Sequence, residues 1–299
     1  MTVALLYLGT VLIWGSTWLA IKFQLGVVAP EVSVAYRFSL AAAVLLVYCV
    51  ANRRRMRFSV RDHIGMAGLG LLLFSANYFV FYLATGYMTT GLIAVVFSGI
   101  VVTNIIFGAV LLGNPVRPRV AIGAATGISG LAIIFWPEIT AFDLHSDGTL
   151  GLLLCVAGTV IASLGNMVSV NNQRRGLPVL QANAYGMTYG AVFMLLLALA
   201  GGRTFGFEAT PAYIGSLIYL AVFGSVFAFG FYLTLLGRIG ADRAAYATVL
   251  FPVIALGLST VFENFQWSPG ALAGMLLVVG GNVLVLGRSV RRKTKQVAA

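Results

Sequence analysis

The chain alternates long apolar stretches with short polar ones. Apolar windows fall near residues 3–22, 32–51, 64–84, 90–112, 119–136, 149–170, 180–200, 212–236, 242–262 and 269–287. Most approach the ~20 residues that a helix needs to cross a bilayer at about 1.5 Å per residue. Between them lie residues that break helices and suit tight connections: Gly26 with Pro30, the polar run Asn52 to Arg57, Gly113-Asn114-Pro115, Gly176 with Pro178, Gly201-Gly202, and Pro269. The pattern predicts an all-α integral membrane protein of ten transmembrane helices.

Composition agrees with that reading and narrows it. Of the 299 residues, 60% are apolar and 9% charged, against about 25% charged in a soluble domain. Ten spans leave no room for a sizeable soluble domain. The net charge of +11 does not point to nucleic acid, because the cations sit in short runs between apolar stretches. Anionic lipid headgroups and the membrane potential are their expected partners. Cys49 and Cys155 fall inside apolar stretches at opposite expected depths, which suits small apolar filler and argues against a disulfide. The first apolar stretch lacks a basic leader and a small-residue cleavage site, so it is expected to stay as the first helix.

Charge also orients the chain, since cytoplasmic loops accumulate Lys and Arg. With the amino terminus inside, sixteen of the nineteen Lys and Arg fall on the cytoplasmic side, with runs at Arg53 to Arg61 and Arg288 to Lys295. The outer side keeps Lys22 and Arg203, with Arg37 near the outer end of the second span, and it holds Glu31, Glu138, Asp143, Asp147, Glu208 and Glu263. Both termini are expected in the cytoplasm of a cell whose inner (plasma) membrane the chain crosses many times.

Two halves of the chain line up. Phe81-Tyr82-Leu83 recurs as Phe231-Tyr232-Leu233, Pro30 corresponds to Pro178, and Gly123-x-x-x-Gly127 matches Gly270-x-x-x-Gly274 in character. Each half holds an odd number of spans, so the second half would enter the membrane from the opposite side. The expected architecture is therefore two inverted five-helix repeats, residues 1–140 and 141–299, with a substrate site near the midplane. Chance similarity between Leu-rich and Gly-rich helices is the plainer alternative. The glycines Gly123, Gly127, Gly130, Gly270 and Gly274 are expected to serve close helix packing.

Trp14-Gly15-Ser16, Lys22, Pro30, Arg37-Phe38, and later Pro252 and Glu263 resemble the EamA domain, the repeat unit of the drug/metabolite transporter superfamily. The resemblance covers nearly the whole chain in two copies. It departs in the first copy, where Asn114 stands at the usual helix-end glutamate and the fourth span has no proline, which puts any role of that glutamate in doubt. Within the superfamily the build looks most like the YddG-type exporters of aromatic and other neutral amino acids. The resemblance implies a transporter working by alternating access.

Ionisable residues at membrane depth point to function, and the central parts of the spans contain none. Lys22, Arg37, Asp242, Arg243 and Glu263 lie within about two turns of an expected helix end, where snorkelling accounts for them. A gate in which Arg37 pairs with Glu31 or Glu263 is the sharper alternative, with Pro252 as a kink point. The first helix offers Trp14 where a cationic-drug antiporter needs an acid, and no cavity Lys or Arg is expected to meet phosphate. A net-neutral substrate fits best, and the resemblance implies a neutral amino acid. Trp14 and Trp18 stand one turn apart, as do Tyr78 and Tyr82, with Asn77 and Phe81 beside them. Their rings suit stacking on an apolar or aromatic side chain, or else interfacial belts and helix packing. Asn104, Ser163 and Asn166 must find partners in lipid, as ligand contacts or as interhelical glue. Tyr246 would complete the set.

Enzyme chemistry finds no support. His63 and His145 lie in or beside loops on opposite sides, and there is no phosphate loop or nucleophile elbow. No cofactor and no metal is expected. Without a midplane acid, facilitated and reversible movement down the substrate gradient is the simplest energetic reading, with proton coupling through Glu31 or Glu263 left open. Export of another neutral or cationic metabolite or drug is the alternative, and a membrane scaffold or channel subunit is the reading from a different class.

Overall fold

The computed structural model describes residues 2–113, 118–136, 146–232 and 247–286. Those residues form helices and no strand. In chain order they are α1 Val3–Lys22, α2 Pro30–Ala51, α3 Val60–Ala84, α4 Thr90–Leu112, α5 Pro118–Ile134, α6 Asp147–Arg174, α7 Val179–Ala200, α8 Pro211–Tyr232, α9 Ala247–Phe262 and α10 Pro269–Leu286. Seven of them, α1 to α4 and α6 to α8, are long and apolar enough to cross a membrane. The other three contain shorter apolar stretches, Ala125–Ile134, Leu250–Phe262 and Pro269–Gly281.

Three of the breakers read from the sequence, Pro30, Gly113 and Gly176, act at helix ends, and Pro211, Ser59 and Asp62 join them. Pro30 and Pro211 open α2 and α8 at the first helical position, where the missing N–H costs nothing. Ser59 and Asp62 close a capping box at the start of α3, each side chain satisfying the other's backbone N–H. Gly113 ends α4 with φ +67° and Gly176 follows α6 with φ +80°. A side chain at either would strain the left-handed backbone.

Two helices depart from α geometry. Residues Leu72–Ala76 of α3 and Tyr219–Phe227 of α8 form π turns. In the second, the Ser225 hydroxyl donates to the Leu220 carbonyl five residues earlier at 3.0 Å.

The chain divides into two compact units. Unit 1 comprises Met1–Leu19, Tyr87–Leu153 and Ala228–Ala299, and unit 2 comprises Ala20–Gly86 and Leu154–Phe227. Unit 1 is built on two close helix crossings. At the α5–α10 crossing, a Cβ on Gly130 would lie 2.5 Å from the Gly274 carbonyl oxygen, and one on Gly281 would lie 2.5 Å from that of Gly123. At the α4–α9 crossing, a Cβ on Gly91 would meet the Leu256 side chain at 2.8 Å. The expectation for the glycine stripe needs correction at Gly127 and Gly270: a Cβ on Gly127 meets nothing within 4 Å, and one on Gly270 meets nothing nearer than 3.7 Å. Gly127 contributes its backbone to the crossing, and Gly281, outside the expected stripe, carries the requirement for smallness.

Unit 2 centres on α7, which packs against α2 and α3. Its seam is again glycine, with a Cβ on Gly70 falling 2.5 Å from the Gly186 carbonyl oxygen and one on Gly190 falling 2.7 Å from that of Phe74. Helix α6 joins α3 through Gly158 on the Phe81 ring and Gly165 on the Leu73 backbone. Because lipid offers no hydrophobic gain between apolar helices, such backbone approach is what drives their association.

Candidate substrate site

Within unit 1, α1 brings Trp14 into an aromatic cluster. Its ring lies 5.1 Å from Phe229, 5.3 Å from Tyr232 and 5.5 Å from Phe251. Gly15, next to it, admits Ile254 of α9, where a Cβ would sit only 2.7 Å from the Ile254 Cβ. Trp18, one turn on, is buried against Phe97 at 5.2 Å. Asn104 of α4 is half-buried in the same unit, and Pro252 lies inside α9. Tyr246 lies outside the described residues.

Glu263 follows α9 directly. Its carboxylate accepts from the Thr90 N–H at 3.0 Å and the Thr90 hydroxyl at 2.6 Å, and also from the Ser259 hydroxyl. The Ser259 oxygen in turn accepts from the Gly91 N–H at 2.7 Å. Two N–H groups that the first turn of α4 leaves without intrahelical partners are thus satisfied from α9, with negative charge at the positive end of the helix dipole.

Within unit 2, the second and third helices bring together Arg37, Phe38, Tyr78 and Tyr82. Arg37 is the eighth residue of α2, about 10 Å along it, and is only 1% exposed. Its guanidinium carbon stands 4.4 Å from the centre of the Tyr78 ring and 5.2 Å from that of Phe38. The Phe38 and Tyr78 rings meet edge to face at 4.9 Å. Arg37 also lies close to Tyr82, yet the buried Tyr82 hydroxyl finds no hydrogen-bond partner of regular geometry, and neither do Arg37 Nε and one terminal nitrogen of the same guanidinium. Asn77, buried beside Tyr78 in sequence, keeps its Oδ1 without a protein partner. The π turn immediately before Asn77 sets the azimuth of both residues. Ser163, fully buried, and Asn166, half-buried, lie one turn apart on α6 in this unit.

Arg37 thus departs from the reading based on its sequence position. It is buried, and within unit 2 it makes no ion pair with Glu31. Glu31 gives one carboxylate oxygen to Arg203 at 3.2 Å, while Glu263 serves α4. A desolvated cation costs several kcal/mol, and cation–π contact returns about 2. The pairing of Glu31 with Arg203 lies beside a cleft of about 550 Å³ lined by residues Leu25 to Pro30 and Gly202 to Thr204.

The EamA-like transporter family matches residues 1–136 and again residues 149–287. The chain belongs to this family. Among its relatives is the uncharacterized transporter YvbV of Bacillus subtilis (strain 168), 26% identical over 298 residues that cover 98% of this chain and 94% of YvbV. The uncharacterized inner membrane transporter YedA of Escherichia coli (strain K12) is 28% identical over 258 residues, 83% of this chain and 79% of YedA. Protein PagO of Salmonella typhimurium is 22% identical, over 95% of this chain and 93% of its own. A solved crystal structure with 20% identity matches 98% of both chains at a TM-score of 0.69, which speaks for the fold alone. The chain is therefore a multi-pass membrane transporter of the EamA family, and its ligand is a small molecule.

Proposed function

We propose that this transporter exports neutral amino acids with aromatic or other apolar side chains across the inner membrane, by alternating access and without a cofactor. The observation that carries the reading is the chemistry gathered in each unit. Trp14 with Phe229, Tyr232 and Phe251, and Tyr78 with Phe38, offer aromatic faces. Asn104 in unit 1, and Asn77, Ser163 and Asn166 in unit 2, offer uncharged polar groups. Aromatic faces with a few convergent polar groups are what an amphiphilic small ligand requires.

The architecture proposed for it is ten spans in two inverted repeats, residues 1–140 and 141–299, with both termini cytoplasmic. Two observations support the repeat. The family matches the chain twice, and the π turns of α3 and α8 overlap at the offset of 150 that relates Phe81-Tyr82-Leu83 to Phe231-Tyr232-Leu233.

Purified protein in liposomes tests the substrate class. Counterflow of radiolabelled phenylalanine, tryptophan and threonine should be saturable and stimulated by internal substrate, while organic cations and sugar phosphates should not exchange. Exchange of organic cations alone would overturn the assignment.

A further inference from the structure

We propose that Arg37 and Tyr82 form a carboxylate-binding subsite inside unit 2, so that the transporter recognises its solute by the carboxylate as well as by the side chain. This deepens the amino acid reading and rests on it.

The geometry of Arg37 separates two kinds of contact. Its planar guanidinium offers a face to aromatic rings and an edge of N–H donors to acceptors in its own plane. The face is taken by Tyr78, 4.4 Å away. The edge is not: Nε and a terminal nitrogen, both buried, have no acceptor in the protein. A side chain held only as a counter-charge would be expected to meet an acid, yet Glu31 pairs with Arg203. What remains is two in-plane donors on different sides of the guanidinium, each able to give a charge-assisted hydrogen bond to a carboxylate oxygen. The Tyr82 hydroxyl, buried beside Arg37 and without a partner of regular geometry, supplies a further donor. The sites lie at comparable depth, since Arg37 is seven residues into α2 and Tyr78 six residues from the end of α3. Asn77 adds what a carboxylate site alone lacks. Its unpaired Oδ1, one residue from Tyr78, is an acceptor for the ammonium end of the same zwitterion. Phe38 and Tyr78 wall the subsite with rings.

The test needs no variant at first. Wild-type protein in liposomes is loaded for phenylalanine counterflow, and four solutes compete: phenylalanine, phenylacetate, phenylalaninamide and phenethylamine. The expected order places phenylalanine first and phenylacetate next, with the two solutes lacking a carboxylate at least tenfold weaker than phenylalanine. Arg37→Lys, which keeps the charge and loses the planar in-plane donors, should raise the half-saturation concentration for phenylalanine at least tenfold at normal membrane abundance. Tyr82→Phe should raise it severalfold. Phenylalaninamide competing as well as phenylalanine would overturn the subsite while leaving amino acid transport standing. An Arg37→Lys protein with unchanged half-saturation would do the same. Absence of counterflow for every amino acid would overturn both readings together.

Discussion

At the scale of single residues, Glu263 shows how an acid near a membrane span is held by structure. Its carboxylate takes the N–H and hydroxyl of Thr90 and the hydroxyl of Ser259, so its first task is to cap α4 from the end of α9. Hydrogen bonds to a charged group are worth about 1.5–3 kcal/mol. Glu263→Gln keeps the shape and loses the charge, and should lower stability by about 1–2 kcal/mol, read as earlier thermal unfolding in detergent, with substrate order unchanged. Unchanged unfolding together with a lost response to a proton gradient would instead place Glu263 in energy coupling. Trp14 stands differently, since three rings surround it and no capping depends on it. Trp14→Ala should weaken phenylalanine and tryptophan transport roughly 30- to 150-fold, the equivalent of about 2–3 kcal/mol of stacking and burial. Threonine and alanine should suffer far less. Equal losses for all four solutes at normal abundance would make Trp14 a packing residue.

At the scale of helices, glycine decides which surfaces meet. Gly130 and Gly127 sit on the same helix, but only the first points its missing side chain at a neighbour's backbone, 2.5 Å from the Gly274 carbonyl oxygen. Overpacking of that kind costs about 1–3 kcal/mol or more. Gly130→Leu should therefore cut the yield of monodisperse protein in size-exclusion chromatography, and Gly127→Ala should leave it unchanged. Equal losses from both would mean that the whole stripe, rather than its contacting members, sustains the crossing. The helices themselves were plain in the sequence, because apolar runs of span length and Pro and Gly at their ends are strong signals; Pro30, Gly113 and Gly176 all act at the helix ends their positions imply. What was not legible lay inside uniformly apolar helices. In α3 and α8 no polar stripe records the turn, so nothing betrays a π segment. The Gly70–Gly186–Gly190 seam is equally silent without knowledge of which helices are neighbours. Arg37 is hard to place from sequence for a related reason: its distance from the helix end suits snorkelling, and only packing reveals the rings of α2 and α3 beside it. Trp14, Tyr78 and Tyr82 were visible as aromatic pairs one turn apart, although the sequence did not show that Trp14 belongs with α8 and α9.

At the scale of the whole chain, the distribution of cations predicts the orientation. Sixteen of nineteen Lys and Arg fall on one side if the amino terminus is inside, and that bias sets topology because cationic loops resist translocation. The structure makes a clean chemical test available. The native thiols Cys49 and Cys155 are both fully buried, so a thiol-reactive probe should find little background. Arg54 and Gly206 are exposed in the connections α2–α3 and α7–α8, which the proposed topology puts on opposite sides. A membrane-impermeant maleimide should label Gly206→Cys in intact cells, and label Arg54→Cys only after the membrane is opened. An odd number of spans between the two positions is needed for that outcome, and α3 through α7 supply five in the ten-span arrangement. Labelling of both sites in intact cells, or of Arg54→Cys alone, would break that arrangement. Because an even count of spans must also return the chain to its starting side, a cysteine placed after Ala299 should behave like Arg54→Cys and stay protected until permeabilisation.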